Sequence, residues 1–245
     1  MPYQWYTNNS FTGGGTTDYG FIGGGHQNCI ETNTLLPTHY ATIAGGCNNI
    51  ICEGAGAAVI AGGIFNCANG AGSFIGGGGL NVVNACATVI GGGGQNQVYH
   101  ANSCFGFIGG GQGNTISSPL LGSLFSCYST IAGGWDNHIQ AGTAVGSESC
   151  FGFIGGGESN VVGAGTCYSS IIGGQGNSVV HNWATVAGWN VTSGADCAFT
   201  TNCVIACNTP VYGLGPAPGT LQYFPVTPGL IAAGIPVGAC LVFIQ

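Results

Sequence analysis

One pattern, repeated nine times, constrains the fold of this chain more than any other feature. It reads as an aliphatic residue, usually Gly or Ala next, then Gly, Gly, two variable residues and Asn, with a β-branched residue two further on. Full copies start at Ile22, Ile43, Ile60, Ile75, Ile90, Ile108, Ile131, Ile154 and Ile171, and a degenerate tenth starts at Val186. The starts are 21, 17, 15, 15, 18, 23, 23, 17 and 15 residues apart, a base period of 15 with insertions between motifs. Helical-hairpin repeats need about 33 residues or more, so this period excludes them. It suits one coil of a narrow solenoid, with two short strands and two tight turns whose positive-φ corners are supplied by Gly. The expected fold is all-β, a Gly-rich parallel β-solenoid or β-roll of about ten short coils. Stacked at about 4.8 Å, ten coils make a rod roughly 50 Å long.

Three columns of side chains follow from that stacking. An Asn lies six residues after every full start: Asn28, Asn49, Asn66, Asn81, Asn96, Asn114, Asn137, Asn160 and Asn177. Such a column either bonds amide to amide between coils or caps each turn separately, and neither role is catalytic. Four residues before a start stands a second column, Cys86, Cys104, Cys127, Cys150 and Cys167. Two readings are open for it: a dry thiol stack in the core, or disulfides between neighbouring coils. One residue further on comes a largely aromatic column: Tyr19, Tyr40, Phe105, Tyr128, Phe151, Tyr168 and Trp183. Packing, across the coil or against a neighbouring chain, and a ligand platform are the alternatives there.

Composition narrows the function. Lys and Arg are absent and charged residues make up 3% of the chain, against about a quarter in ordinary soluble domains. With no cation to meet phosphate, nucleic-acid binding is excluded as an expectation. A hydrophobic content of 45% argues against disorder, and clustered rather than every-third Gly argues against collagen. The net charge of −7 gives a weakly self-repelling surface, which favours self-association. Thirteen Cys, with no metal-type Cys-x-x-Cys pair, indicate either an oxidising environment or a thiol-lined interior. The first residues have no basic n-region, so no signal peptide is expected. Gly229 to Ile244 is apolar but short and interrupted by Pro236, a poor membrane span.

Catalytic chemistry finds little support. The carboxylates Asp18, Glu31, Glu53, Asp136, Glu148, Glu158 and Asp196 are dispersed, and His26, His39, His100, His138 and His181 fall at different repeat offsets. Neither a zinc-protease His-Glu-x-x-His, a Gly-x-Ser-x-Gly elbow nor a Gly-Lys phosphate loop occurs. The Gly runs lack the Asp per repeat that a calcium-binding β-roll needs. A Thr array for ice binding is also missing: the residue before each start is Phe, Thr, Val or Ser. No enzyme activity, cofactor or metal is expected.

The units TIAGGCNNI, FIGGGQGNTI, TIAGGWDNHI and IIGGQGNSV resemble the head repeats of trimeric autotransporter adhesins and similar units of phage and giant-virus fibre proteins. The resemblance covers roughly residues 16–192. It implies a left-handed parallel β-roll, commonly trimeric, that projects from a surface and binds a host or matrix. The organisation expected is an N-terminal extension at 1–15, solenoid repeats at 16–192, and a Cys- then Pro-rich segment at 193–245 that caps the rod or docks onto the next subunit. The leading functional expectation is a structural subunit of an extracellular or virion-surface fibre whose partner is another copy of itself. The alternative is a discrete trimeric adhesin whose inter-repeat loops, at 116–126 and 140–149, hold the specificity.

Overall fold

A computed structural model describes residues 8–14, 19–99, 103–117, 126–140 and 149–202, together with strands at 211–214 and 221–224. Among these residues there is no helix; strands of two to six residues wind into a parallel β-solenoid of about ten coils. Each coil contributes one strand to each of two long parallel sheets. The 11-stranded sheet carries the motif starts: Val89–Ile90 pairs with Phe74–Ile75 on one side and Phe107–Ile108 on the other. The ten-stranded sheet carries the β-branched positions that close each motif, as where Gln97–Val98 lies between Val82–Val83 and Thr115–Ile116. Between the two runs a row of single bridges from His26 through Cys47, Ile64, Gly79, Gly94, Gln112, Trp135 and Glu158 to Gln175.

The register is the motif itself. Each start residue pairs with the next, Ile131 with Ile154 and Ile154 with Ile171, so identical positions stack and insertions are excluded from the sheets. The core is correspondingly simple. Every start from Ile43 to Val186 is fully buried, as is the aliphatic residue eight positions on from each full start, including the small Ala68. Their column of methyl groups contributes most of the burial energy, at about 25 cal/mol per Å² of apolar area removed from water.

The sheets extend beyond the recognisable motifs. Ser10–Thr12 forms a parallel rung below Cys29–Glu31, in a stretch where no glycine motif announces it. At the other end Phe199–Thr201 joins the 11-stranded sheet after the degenerate copy. That copy is one residue shorter in its turn, and its pairing to Ser170–Gln175 is irregular between Ile171 and Gly173. A second compact unit, Thr201–Gln245, contains an antiparallel ribbon of Val211–Leu214 with Leu221–Phe224. Most of both proposed binding loops, Cys203, Cys207 and the apolar run Gly229–Ile244 lie outside the described residues.

Candidate functional site

The stacked columns are where side-chain chemistry is concentrated. The Asn column is internal: all nine side chains are fully buried. At Asn114 the backbone N–H and Nδ2 both donate to Asn96 Oδ1, at 3.0 and 3.1 Å. Nδ2 also donates to Gly110 O in its own turn and to Gly134 O in the next coil, each at 2.9 Å. Its own Oδ1 in turn accepts from the backbone N–H and Nδ2 of Asn137. The two sequence alternatives therefore hold together, because each amide caps its own turn and ties it to both neighbours. The column begins earlier than the motifs, with Asn9 Oδ1 accepting from Asn28, and ends where Asn177 Oδ1 accepts the Val191 N–H.

This arrangement explains the glycine three positions after each start. Gly111 has φ +88°, and a Cβ there would stand 2.0 Å from Gly134 O and 2.8 Å from Asn114 Nδ2. Only a bare backbone fits between the amide and the coil beside it.

The Cys column is not a core stack. Cys104, Cys127, Cys150 and Cys167 are only partly buried and Cys86 is exposed; all are thiols in this structure. They occupy the outside of a tight corner. The interior there is filled by the residues on either side of it, such as Ser103 and Ser126 five before a start and Ser129 and Ser169 two before. The cross-section at the corner holds only small side chains, so larger ones turn outward. Burial holds the Cys104 and Cys127 thiols above their ordinary pKa, reinforced at Cys127 by the neighbouring Cys104.

The aromatic column stands at the same corner and is likewise external. Phe105, Tyr128, Phe151, Tyr168 and Trp183 stack face to face on successive coils, with centroids 5.0, 5.1, 4.7 and 5.8 Å apart and planes within 8°. Tyr19 and Tyr40 form a separate pair at 5.2 Å. Packing is thus along the rod, not across the coil. The inner rings have both faces covered by neighbours, which leaves only their edges for a ligand. All seven aromatics have φ between 52° and 63°, the left-handed region that side-chain-bearing residues seldom occupy.

The row before each start, too irregular for an ice-binding Thr array, forms a fourth external column. The residues before each start face outward from the 11-stranded sheet: Phe21, Phe74, Phe107 and Phe153, joined at the end by Phe199, are 38% to 60% exposed. Thr42, Val59, Val89, Thr130, Ser170 and Thr185 fill the intervening rungs. No charged residue belongs to this row.

Titratable groups converge little. Among the described residues no three His, Cys, Asp or Glu side chains form a metal-holding cluster. His138 Nε2 meets Asp136 Oδ1 at 3.0 Å on the surface. His181 Nδ1 meets Ser193 Oγ at 2.8 Å, but that hydroxyl also accepts the Val180 N–H and serves a terminal turn. No helix among the described residues is long and apolar enough to cross a membrane. No known protein-family model matches the chain, and a search of curated proteins finds no relative.

Proposed function

We propose that the chain is a non-enzymatic structural protein, the self-assembling subunit of an extracellular or virion-surface fibre. The observation that carries this is the uncharged Phe, Thr and Val row on the outside of the 11-stranded sheet. Monomeric soluble proteins rarely leave continuous apolar patches of more than a few hundred Å² open to water. A second copy of the same face meets it without charge repulsion, since Lys and Arg are absent and no carboxylate occupies a position of the row. The likeness of the units to adhesin head repeats supports a second reading, a discrete trimeric adhesin that binds a host surface or matrix.

Negative-stain electron microscopy and sedimentation of the purified chain test the proposal. The wild type is expected to form fibres or large assemblies. The triple variant Phe74→Ser, Phe107→Ser, Phe153→Ser is expected to disperse while keeping its β-sheet circular dichroism. A wild type that stays monomeric at every concentration sinks the idea, as does a variant that assembles unchanged. Discrete three-chain particles would select the adhesin.

A further inference from the structure

The side chains of Cys52 and Cys67 meet on the outer face of the ten-stranded sheet, away from the Cys column at the corner. Cys67 opens the strand Cys67–Ala68, and Cys52 directly follows Ile50–Ile51 in the preceding coil. Ile50 pairs with Cys67 and Ile51 with Ala68, so the two Cys are diagonal neighbours across one rung. The Cys52 N–H donates to Ala68 O at 2.9 Å and fixes that diagonal. Their sulfurs are 3.6 Å apart, and both residues are partly buried.

We propose that Cys52 and Cys67 are a reactive dithiol that low-molecular-weight disulfides oxidise to a bond stapling two successive coils. The surroundings divide the roles. The two thiols share one hydrogen bond, and with Cys67 as its acceptor the Cys67 pKa is lowered, against the opposing effects of burial and of the Glu31 carboxylate. Cys52 is raised by that same bond, by burial and by the carboxylate of Glu31, which stands at the same position one coil earlier. By contrast, Cys104 and Cys127 are both raised, chiefly by burial, and are slower to ionise.

The exchange balances in two steps. The Cys67 thiolate attacks one sulfur of the small disulfide, forms a mixed disulfide and releases one small thiolate. Cys52 then loses its proton to water and attacks the Cys67 sulfur, forming the Cys52–Cys67 bond and releasing the second small thiolate. Overall two protein thiols become one disulfide, and one small disulfide becomes two small thiols.

The test exposes the full-length reduced chain to oxidised glutathione at mildly alkaline pH. Remaining thiols are alkylated at intervals, and peptic peptides are read by mass spectrometry. The expected result is a linked peptide pair containing Cys52 and Cys67, appearing before any linkage in the Cys86 to Cys167 column and raising the melting temperature. In Cys52→Ser, Cys67 is expected to hold glutathione as a stable mixed disulfide, whereas Cys67→Ser leaves Cys52 largely alkylatable. The inference is overturned if both wild-type residues stay fully alkylatable while column thiols oxidise. It is equally overturned if Cys67 gathers no glutathione in Cys52→Ser. The wild-type time course decides the matter even where a variant folds poorly.

Discussion

The ring of Phe153 lies over the bare backbone of Gly155, so that a Cβ on that glycine would stand 3.4 Å from the ring edge. The same relation recurs at Phe21 with Gly23, Phe74 with Gly76 and Phe107 with Gly109, at 3.1 to 3.3 Å. Where the row carries Thr42 or Thr130 instead, the partner is Ala44 or Ala132; Val59 is followed by Ala61. A Cβ at Gly23, Gly76, Gly109 or Gly155 would also stand 2.2 to 2.5 Å from a carbonyl oxygen of the next coil, so backbone and ring together leave no room for a side chain there. Val89, followed by Gly91, Ser170, followed by Ile172, and Phe199, followed by Thr201, depart from the pairing.

That complementarity makes a double-mutant cycle informative. Thr130→Phe beside Ala132 forces the ring off the sheet and is expected to destabilise the fold by about 1 kcal/mol. Ala132→Gly alone costs about 0.5–1 kcal/mol in backbone freedom. Together they are expected to cost less than their sum, with a coupling of about 1 kcal/mol measured by chemical denaturation. Strict additivity would show that ring and glycine are independent.

The Asn column supports a larger effect. Asn114→Ala removes the acceptor used by both the backbone N–H and Nδ2 of Asn137, and takes a donor from Gly110 O. Each buried group left unpaired costs about 1–3 kcal/mol, so a loss above roughly 3 kcal/mol is expected. Asn28→Ala, one rung from the start of the column, should cost less in global unfolding because an end coil frays independently. Equal losses at the two positions would argue against unit-by-unit coupling along the rod.

How much of this was legible in the chain depends on which side of the backbone is considered. The spacing of Ile22, Ile43 and Ile60 with Asn28, Asn49 and Asn66 specified coil, register and column together, because stacking demands identity at fixed offsets. Inside and outside were harder to tell at the corner. Hydrophobicity places Cys127 and Tyr128 within and Ser126 and Ser129 without, whereas the structure does the reverse. The coil is too narrow there for anything but small side chains. Asn9 was hidden for a different reason, since its rung precedes the first glycine motif. The Cys52 and Cys67 pair joins two different offsets, which a search for columns passes over.

The left-handed corner supplies a pair of changes with opposite signs. Ala57 and Ala87 have φ of 56° and 51° at the position where Gly72 sits at 64°. A left-handed conformation costs a residue with a Cβ about 1–2 kcal/mol, so Ala87→Gly is expected to stabilise by about 1 kcal/mol. Tyr128→Gly relieves the same strain but loses stacking on both Phe105 and Phe151. Each stack contributes about 0.5–1.5 kcal/mol, besides the buried ring area, so net destabilisation is expected. Thermal melts of the two variants check the signs directly. If both Gly variants stabilise, the aromatic column contributes nothing to the fold and its presence must be explained by what it contacts.

The corner thiols set a limit on alkaline stability. Burial holds the folded-state pKa of Cys104 and Cys127 above 9.0, the ordinary value, and at Cys127 the neighbouring Cys104 adds to the shift. A raised acid binds its proton more tightly in the folded chain than in the unfolded one. Its contribution is therefore complete below the unfolded pKa and disappears as pH rises through the folded one. Denaturation in the presence of a reductant should show stability falling from about pH 8 upward. Cys104→Ala/Cys127→Ala should flatten that fall, since the two groups that bind extra protons in the folded state are gone. An unchanged slope would place the alkaline sensitivity elsewhere, with Cys52 the next group to replace, because it too is raised.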